Sequence, residues 1–428
     1  MTNDPRSPAE IPSYFAVGIG AGPSNLSLAA LFTSSVTEQI ALFERQPGPA
    51  WHNTLLHPGV KMQTSWLKDL VSLVEPRHEL TFTNYLVTEG RLFALLNAQF
   101  DNIPRMEYVR YLEWAARKLP NIHYDANIDK ISFGEGGFTV FAAGQALARA
   151  DHLVIGVGTS PYIPAELSAL PPERAFIADE LSGRLAAMSA DLDAPVAVVG
   201  GRQTGFEAAM RLLESGFTNI TWYTRRLWFD STDNSPNAND VFRPAHLEAL
   251  FRMSLPTRRR VLIGLDPTGD GLTPGGLRWL YQANYERMLE LGRFPITLVP
   301  GREVTGAAVD GDDIVLTCQA PEQIEQHRAR YVVIATGREN GAIPFDDDLR
   351  QRVEVGDDGE VMVENDFSVR WKGMNGHQIY ALNRARLSHG LSDANVTLLP
   401  VRAAMVMNSM FGREMFQIRD DLCPVNWG

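Results

Sequence analysis

The sequence predicts an α/β fold with two Rossmann-like dinucleotide-binding domains, the second inserted into the first, and a small helical region. The prediction rests on one pattern that occurs twice, at 14–32 and 195–213: an apolar strand, a glycine-rich turn and an apolar helix. A second strand follows each copy, at 39–43 and 219–223, and completes the start of a βαβ unit. Two such units are expected to form two parallel sheets, each covered by helices.

Two further apolar strands indicate where the chain crosses between the domains. The strands at 152–157 and 331–335 each end in a small-residue turn. We therefore expect residues 1–165 and 335–428 to form the first domain and residues 166–334 to form the inserted one. The other elements predicted for the first domain are helices within 80–119 and strands at 122–131 and 137–141.

The composition is that of a globular protein and disfavours several kinds of partner. The chain has 428 residues, 45% of them hydrophobic, which is enough for at least two domains. A net charge of −12 argues against nucleic acid and anionic membranes as partners. Cys318 and Cys423 are too far apart to suggest a disulfide framework or a metal site. No secretory signal and no apolar run of about 20 residues are visible, so we expect a cytoplasmic enzyme.

The first glycine-rich turn carries Gly18, Gly20 and Gly22 and is followed by Pro23. Such a turn at a helix N-terminus lets a pyrophosphate approach backbone N–H groups and the positive end of the helix dipole. Glu44 follows the next strand, at the distance expected for an acid that binds a ribose hydroxyl. Pro23 replaces the last glycine of the usual pattern, and proline is tolerated in a first helical turn. An ordinary structural turn is the alternative.

The second turn spans Gly200–Gly205, with Arg202 in the place of the central glycine. Gly200, Thr204 and Gly205 are the candidate contacts of a second dinucleotide. The Cβ of Arg202 is expected to crowd the pyrophosphate, so that this cofactor sits differently or binds more weakly.

Arg225 and Arg226 end the strand that follows, where NAD-specific domains usually carry an acid. Paired guanidinium groups suit a 2′-phosphate and favour NADPH, and a solvated arginine pair is the alternative. Two dinucleotide domains in one chain usually bind FAD and NAD(P)H. A disulfide reductase would need a close cysteine pair, which this sequence lacks. Oxidases, other reductases and monooxygenases remain.

The chain further resembles the flavin-dependent N-hydroxylating monooxygenases of siderophore biosynthesis, which include lysine N6-, ornithine N5- and diamine N-monooxygenases. The similar segments keep the family's order: Gly18–Leu28, Met62–Leu73, Asp233–Pro244, Ala335–Gly337 and His389–Arg402. The resemblance implies that NADPH reduces FAD, that O2 then gives a C4a-hydroperoxyflavin, and that this species hydroxylates a neutral terminal amine. It also implies a homo-oligomer, by analogy a tetramer.

The resemblance implies which residues meet the substrate. Gln63 and Lys68 lie in the segment similar to the flavin and substrate wall, and the matching lysine of ornithine-type members approaches the substrate carboxylate. Asn239 matches an asparagine that holds the substrate. The plainer alternatives are a surface lysine and an Asx-turn. The amine stays open among L-lysine, L-ornithine, cadaverine, putrescine and histamine, and Lys68 slightly favours an amino acid.

Other matched positions are expected beside the cofactors. Trp51 and His52 match positions that line FAD, Thr397 matches a hydroxyl near the flavin end of the site, and Gln203 matches a residue that positions the nicotinamide. Trp51 is alternatively a core residue, and Thr397 a helix-cap or core hydroxyl.

The chain departs from the family pattern at three positions. Asn234 and Asn237 replace an acid and an aromatic residue in the expected substrate loop, and Arg338 replaces a tyrosine at the expected domain crossing. A Baeyer–Villiger or sulfur-oxidising flavin monooxygenase is the alternative reaction, but the additional fingerprint of those enzymes is missing from the sequence. A redox sensor or scaffold that keeps FAD without turnover is the non-enzymatic alternative.

Overall fold

The structure is a computed structural model that describes residues 11–52, 56, 59–134, 136–373, 376–420 and 422–427. It confirms the predicted α/β fold class, with two sheets built around parallel strands. Up to the first crossing the elements are β1 (Ser13–Ile19), α1 (Pro23–Ser35), β2 (Ile40–Phe43), α2 (Phe82–Thr88), α3 (Leu92–Ala98), α4 (Arg105–Lys118), β3 (Ile122–His123), β4 (Lys130–Gly134), β5 (Gly137–Ala142), β6 (Gln145–Ile155) and β7 (Thr159–Pro161).

The first sheet is centred on β1, whose last four residues are buried. Its parallel strands lie in the order β3-β2-β1-β6, while β4 and β5 extend it as an antiparallel meander from β6. α1 begins at Pro23, whose fixed φ suits the first helical position and whose missing N–H would be unpaired there. Residues 24–32 of α1 are buried, as expected for a helix that is apolar on every face.

The second sheet is wholly parallel in the described residues, with the order β11-β10-β9-β15-β8. A separate antiparallel sheet, β12-β13-β14, packs beside it. The elements between the crossings are α5 (Ala165–Ser168), β8 (Ala175–Ile177), α6 (Leu181–Met188), β9 (Val196–Val199), α7 (Gln203–Glu214), β10 (Ile220–Thr224), α8 (Pro236–Asn239), α9 (Pro244–Arg252), α10 (Leu255–Gly264), α11 (Asp266–Asp270), α12 (Pro274–Leu291), β11 (Ile296–Pro300), β12 (Glu303–Asp310), β13 (Asp313–Gln319), β14 (Ile324–Ala329) and β15 (Tyr331–Ile334).

The chain then returns to the first sheet. The returning elements are β16 (Arg338–Asn340), α13 (Asp347–Arg352), β17 (Gln378–Ala381), α14 (Arg386–His389) and α15 (Leu399–Met410). β17 pairs in parallel with the second half of β6, and α15 packs against α1. At the crossing itself, β16 pairs antiparallel with β7, so the outgoing and returning chains form a two-stranded ribbon.

Several predicted boundaries were wrong, and each has a local reason. The strand predicted at 122–131 is broken, because Asp125 and Ala126 donate backbone hydrogen bonds to the segment after β2. β6 begins at Gln145, earlier than predicted, because its first half pairs with β5. β10 ends at Thr224, so the two arginines follow the strand. Among the described residues no helix is both long and apolar enough to cross a membrane.

Candidate active site

The first glycine turn leaves open space at one glycine and none at another. Gly20 has a φ of +91°, and a Cβ there would lie 2.4 Å from the carbonyl oxygen of Gly156. Gly22 has no heavy atom within 4 Å of its ideal Cβ position, although α1 begins at the next residue. The first turn is therefore shaped by close packing at Gly20 and forms an open cradle at Gly22, which fits a pyrophosphate.

Glu44 and Asn25 hold this turn. The Glu44 carboxylate accepts hydrogen bonds from the backbone N–H groups of Ala21 (2.9 Å) and Gln46 (2.9 Å). Asn25 donates from Nδ2 to the carbonyl oxygen of Gly20 at 2.7 Å, and it was missed by the sequence prediction. Its signal was the one amide side chain in a helix that otherwise consists of apolar and hydroxyl residues. Ribose binding by Glu44 stays a prediction.

The glycines of the second turn allow neighbouring backbone segments to approach each other closely. A Cβ on Gly200 would lie 2.0 Å from the carbonyl oxygen of Ala335, and one on Gly205 would lie 2.0 Å from that of Gly200. Arg202 adopts an extended backbone before α7. Its guanidinium group contacts the carboxylates of Asp266 (3.4 Å) and Asp270 (2.9 Å) in α11. The side chain thus extends to α11, and the crowding of a pyrophosphate stays a prediction.

The two arginines after β10 do not form a paired site. Arg225 is 79% exposed and lies 4.0 Å from Glu303. Arg226 forms ion pairs with Asp230, at 2.9 Å, and with Asp266. A 2′-phosphate at Arg226 would therefore compete with two carboxylates, and this role stays a prediction.

A cavity of about 260 Å³ lies where the first domain faces α7 of the inserted one. It brings together five of the predicted residues, and its lining includes Trp51, His52, Gln63, Gln203 and Thr204. Residues separated by about 140 positions in sequence thus share one cavity, beside the second glycine turn. No cluster of side chains suited to a metal ion occurs in the part of the chain that the structure describes.

A buried ion pair crosses this cavity between the domains, and the sequence prediction missed it. Arg105, at the start of α4, donates to both carboxylate oxygens of Glu207 in α7, at 2.8 and 3.1 Å. The two side chains are 12% and 2% exposed. Gln203 donates from Nε2 to the same carboxylate at 3.1 Å. The predicted nicotinamide-positioning residue is thus held by Glu207. The signal for Glu207 in the sequence was an acidic residue among the apolar residues of α7.

His52 is neutral at neutral pH. It lines the cavity, is exposed to the space within it, and has a positive φ of 51°. Desolvation, with the nearby charges of Arg105 and Arg338, lowers its pKa to about 4. Trp51 packs edge-on against the imidazole, with ring centroids 4.6 Å apart. His52 can therefore offer hydrogen bonds to a ligand without adding a charge.

Lys68 lies half-buried with its ammonium group 5.9 Å from the ring centre of Phe242. Burial lowers the pKa of Lys68. Within the described residues, no carboxylate lies at ion-pair distance from its ammonium group. A desolvated cation without a carboxylate partner is suited to bind an anionic group.

Thr397 makes the contacts of its plainer alternative, a core hydroxyl, whereas Asn239 makes a hydrogen bond within α8 that is not an Asx-turn. Asn239 closes α8, is exposed, and donates from Nδ2 to the carbonyl oxygen of Ser235 at 3.2 Å. Thr397 is 1% exposed, and its hydroxyl donates to Oδ1 of Asn395 at 2.5 Å. Asn395, rather than Thr397, lines the cavity. Substrate and flavin contacts by Asn239 and Thr397 stay predictions.

Arg338 connects the crossing to the inserted domain. Its guanidinium group donates to the Thr159 hydroxyl (2.8 Å) and carbonyl (3.0 Å), and to the Asp179 carboxylate at 3.0 Å. The arginine that replaces the family's tyrosine therefore joins both strands of the ribbon to the segment before α6.

Two Rossmann-like domains that meet at a shared cavity define a two-dinucleotide oxidoreductase. A sequence model of the L-lysine 6-monooxygenase/L-ornithine 5-monooxygenase family matches residues 13–340, well over half of the chain. The protein belongs to this family of N-monooxygenases.

Similar proteins cover nearly the whole chain. L-lysine N6-monooxygenase of Escherichia coli is 28% identical over 421 residues, 96% of this chain and 97% of the relative. The ornithine N-hydroxylase KtzI of Kutzneria sp. 744, solved with FADred, NADP+ and L-orn, has a TM-score of 0.85 and 26% identity over 94% of this chain and 99% of its own. The FAD-bound cadaverine monooxygenase DfoA of Erwinia amylovora has a TM-score of 0.87 and 21% identity over 96% of this chain and 97% of its own, a likeness of fold.

Proposed function

We propose that the protein uses FAD, NADPH and O2 to hydroxylate the terminal primary amine of a small molecule, for the synthesis of a hydroxamate siderophore. The observation that carries this proposal is the cavity in which Gln63 of the first domain faces Gln203 of the inserted one. The open cradle at Gly22 fits the FAD pyrophosphate, and the turn before α7 would hold NADPH. When bound, the flavin would accept a hydride from NADPH and activate O2.

The reacting amine has to lose a proton before it can act as a nucleophile, because a free amine of this type has a pKa of about 10.4. Burial favours the neutral form of an amine. It lowers the pKa of Lys68, and a substrate amine enclosed by the protein would respond in the same direction.

Among the amines, we favour an amino acid, L-lysine or L-ornithine, over cadaverine, putrescine or histamine. The support is Lys68, whose ammonium group lacks a carboxylate partner among the described residues and would bind an α-carboxylate. The relatives act on amino acids and on diamines alike, as the names L-lysine N6-monooxygenase and putrescine N-hydroxylase show.

The experiment that tests the proposal is product-resolved turnover. Protein supplied with FAD and NADPH is incubated with each of the five amines, and hydroxylamine product, hydrogen peroxide and NADPH consumption are measured in parallel. We expect one amino acid to give hydroxylamine in proportion to NADPH. If NADPH is consumed and every amine yields only peroxide, the amine proposal fails, and ketones and sulfides become the substrates to test. A protein that binds FAD but does not oxidise NADPH would instead be a sensor or scaffold.

The organisation that we propose for the working protein is a homo-oligomer in the cytoplasm. Its domain boundaries are proposed at residues 165 and 335, both a few residues from the two-stranded ribbon on the side of the inserted domain. Two free cysteines, Cys318 and Cys423, are compatible with a reducing compartment.

A further inference from the structure

The segment that follows α15 folds back along the molecule towards α9. Its start is fixed to α15 by Asn408, whose Oδ1 accepts hydrogen bonds from the backbone N–H groups of Met415 (2.7 Å) and Phe416 (2.9 Å). The same side chain donates from Nδ2 to the carbonyl oxygen of Phe416 at 2.9 Å. These three hydrogen bonds therefore fix the direction in which the segment leaves α15.

Asp420 in this segment binds the N-terminus of α9. Its carboxylate accepts a hydrogen bond from the backbone N–H of Ala245, at 3.0 Å. It also accepts from Nε of Arg243, at 3.0 and 3.3 Å, and forms an ion pair with the same guanidinium group. Arg243 occupies the N-cap of α9 and supplies no side-chain cap of its own. Asp420 thus provides the anion and the acceptor that a helix N-terminus favours.

Two more contacts extend the attachment. Arg243 donates from Nη2 to the carbonyl oxygen of Leu422 at 2.8 Å. Trp427 packs edge-on against His246, with ring centroids 4.6 Å apart, and His246 is 1% exposed. Residues 415–420 and 422–427 therefore cross the first turn of α9 and are held there by charge, hydrogen bonds and aromatic packing.

The anchored segment is the one that carries the proposed amine site. α8, the turn at 240–242 and α9 are continuous, and they include Asn239 and Phe242. The Phe242 ring faces the ammonium group of Lys68. Phe242 directly precedes Arg243, the arginine that binds Asp420. A shift of the start of α9 would therefore move Phe242 relative to Lys68.

We propose that residues 415–420 and 422–427 act as a strap that fixes the segment 236–252, and that Asp420 is a positioning residue for the amine site. The inference rests on the proposed function for the identity of the substrate, but not for the existence of the strap. Asp420 touches no reacting atom in this proposal. It acts through Arg243 and the first turn of α9.

The test combines hydrogen–deuterium exchange with kinetics on the full-length chain. Asp420→Ala removes both the charge and the acceptor, whereas Asp420→Asn keeps an acceptor for the Ala245 N–H and guards against misfolding of the first variant. Asp347→Asn is the matched control, because the Asp347 side chain is 94% exposed in α13. We expect faster exchange at the start of α9 in Asp420→Ala, a smaller change in Asp420→Asn and none in the control.

In kinetics, we expect Asp420→Ala to raise the KM for the amine by about tenfold and to divert NADPH to peroxide, because Phe242 and Lys68 would no longer be held in their relative positions. Anaerobic reduction of the flavin by NADPH should be unchanged. Unchanged exchange at α9 would overturn the strap, and faster exchange with unchanged KM and coupling would overturn the positioning role. If the unaltered protein hydroxylates no amine, the proposed function and the positioning role both fail, and the exchange data still decide on the strap.

Discussion

At the scale of single residues, Lys68 is the side chain that favours a substrate with a carboxylate group. Its ammonium group has lost part of its hydration, faces the Phe242 ring at 5.9 Å, and has no carboxylate partner in the described chain. From the sequence alone, Lys68 could be a surface lysine or a substrate contact. The surroundings of its ammonium group depend on Phe242, which lies 174 residues further along the chain. A substrate carboxylate would supply the missing partner.

Replacement of Lys68 by Met keeps an unbranched apolar side chain beside Phe242 and removes the charge. If the substrate is an amino acid, its KM should rise about 10- to 100-fold, because a hydrogen bond to a charged group contributes about 1.5–3 kcal/mol. The KM for cadaverine should change much less. Hydroxylamine formation from lysine and cadaverine measures both. Lys118→Met is the control, since Lys118 also faces an aromatic ring, that of Trp114, but ends α4 and is not a predicted substrate contact. An equal rise for both amines would contradict the carboxylate role.

At the scale of elements, the two glycine turns were predictable because their requirements are local. A strand, a tight turn and a helix within about 20 residues leave a readable pattern. The partner of Arg202 was not predictable. Asp266 and Asp270 contact it from α11, more than 60 positions further along the chain. This helix is too short to show a periodic pattern in the sequence. For the same reason, the long first half of β6 was missed, since only its pairing with β5 makes it a strand.

The cradle at Gly22 can be tested apart from the fold of its turn. Gly22→Ala should leave the melting temperature of the FAD-free protein nearly unchanged, because no atom lies within 4 Å of the new Cβ. It should weaken FAD binding by about tenfold or more, because the methyl group enters the space of the pyrophosphate. Gly20→Ala should destabilise the FAD-free protein as well. Gly183→Ala, an unhindered glycine in α6, should do neither. Titration with FAD and thermal unfolding check each variant, and undiminished FAD affinity in Gly22→Ala would place the pyrophosphate elsewhere.

At the scale of the whole molecule, the buried pair of Arg105 and Glu207 fixes how the domains meet. Charged groups this buried are strongly destabilising when one partner is removed, by about 3–5 kcal/mol. Because Glu207 also holds Gln203, the pair sets the position of α7 relative to the cavity. The sequence predicted the two Rossmann-like domains and five of the residues that line the cavity at their junction. It did not supply this pair, since a contact between α4 and α7 spans 102 positions.

Glu207→Gln should therefore lower the melting temperature and slow flavin reduction by NADPH. We expect the reduction rate to fall by about tenfold, because a misplaced nicotinamide loses the geometry for hydride transfer. Stopped-flow reduction under anaerobic conditions measures this rate. Glu180→Gln, which removes an exposed pair in the same domain, should change stability by less than about 1 kcal/mol and leave the reduction rate unaltered. If both variants reduce flavin like the unaltered protein, the pair does not orient the domains.

Two buried histidines make the molecule sensitive to acid. Burial is the main cause that lowers the pKa of His152 and of His389 from 6.5 to about 4. The unfolded chain thus binds more protons between these values, so their contribution to stability is complete above pH 6.5 and is lost as the pH falls towards 4. The melting temperature should fall over this window. His152→Phe, which keeps a ring against Phe15, should flatten that fall, and an unaltered slope would contradict the assignment.

The ribbon of β7 and β16 has a consequence for how such a protein can be assembled. Arg338 lies opposite Pro161 and Asn340 opposite Thr159, and neighbouring strands lie about 4.8 Å apart. The inserted domain therefore begins and ends at almost the same point in space. Residues 162–337 therefore leave and re-enter the first domain through two neighbouring strands, so exchange of this block for that of a relative would not alter the course of the chain at the ribbon. A short turn between Pro161 and Arg338 would convert the ribbon into an ordinary hairpin.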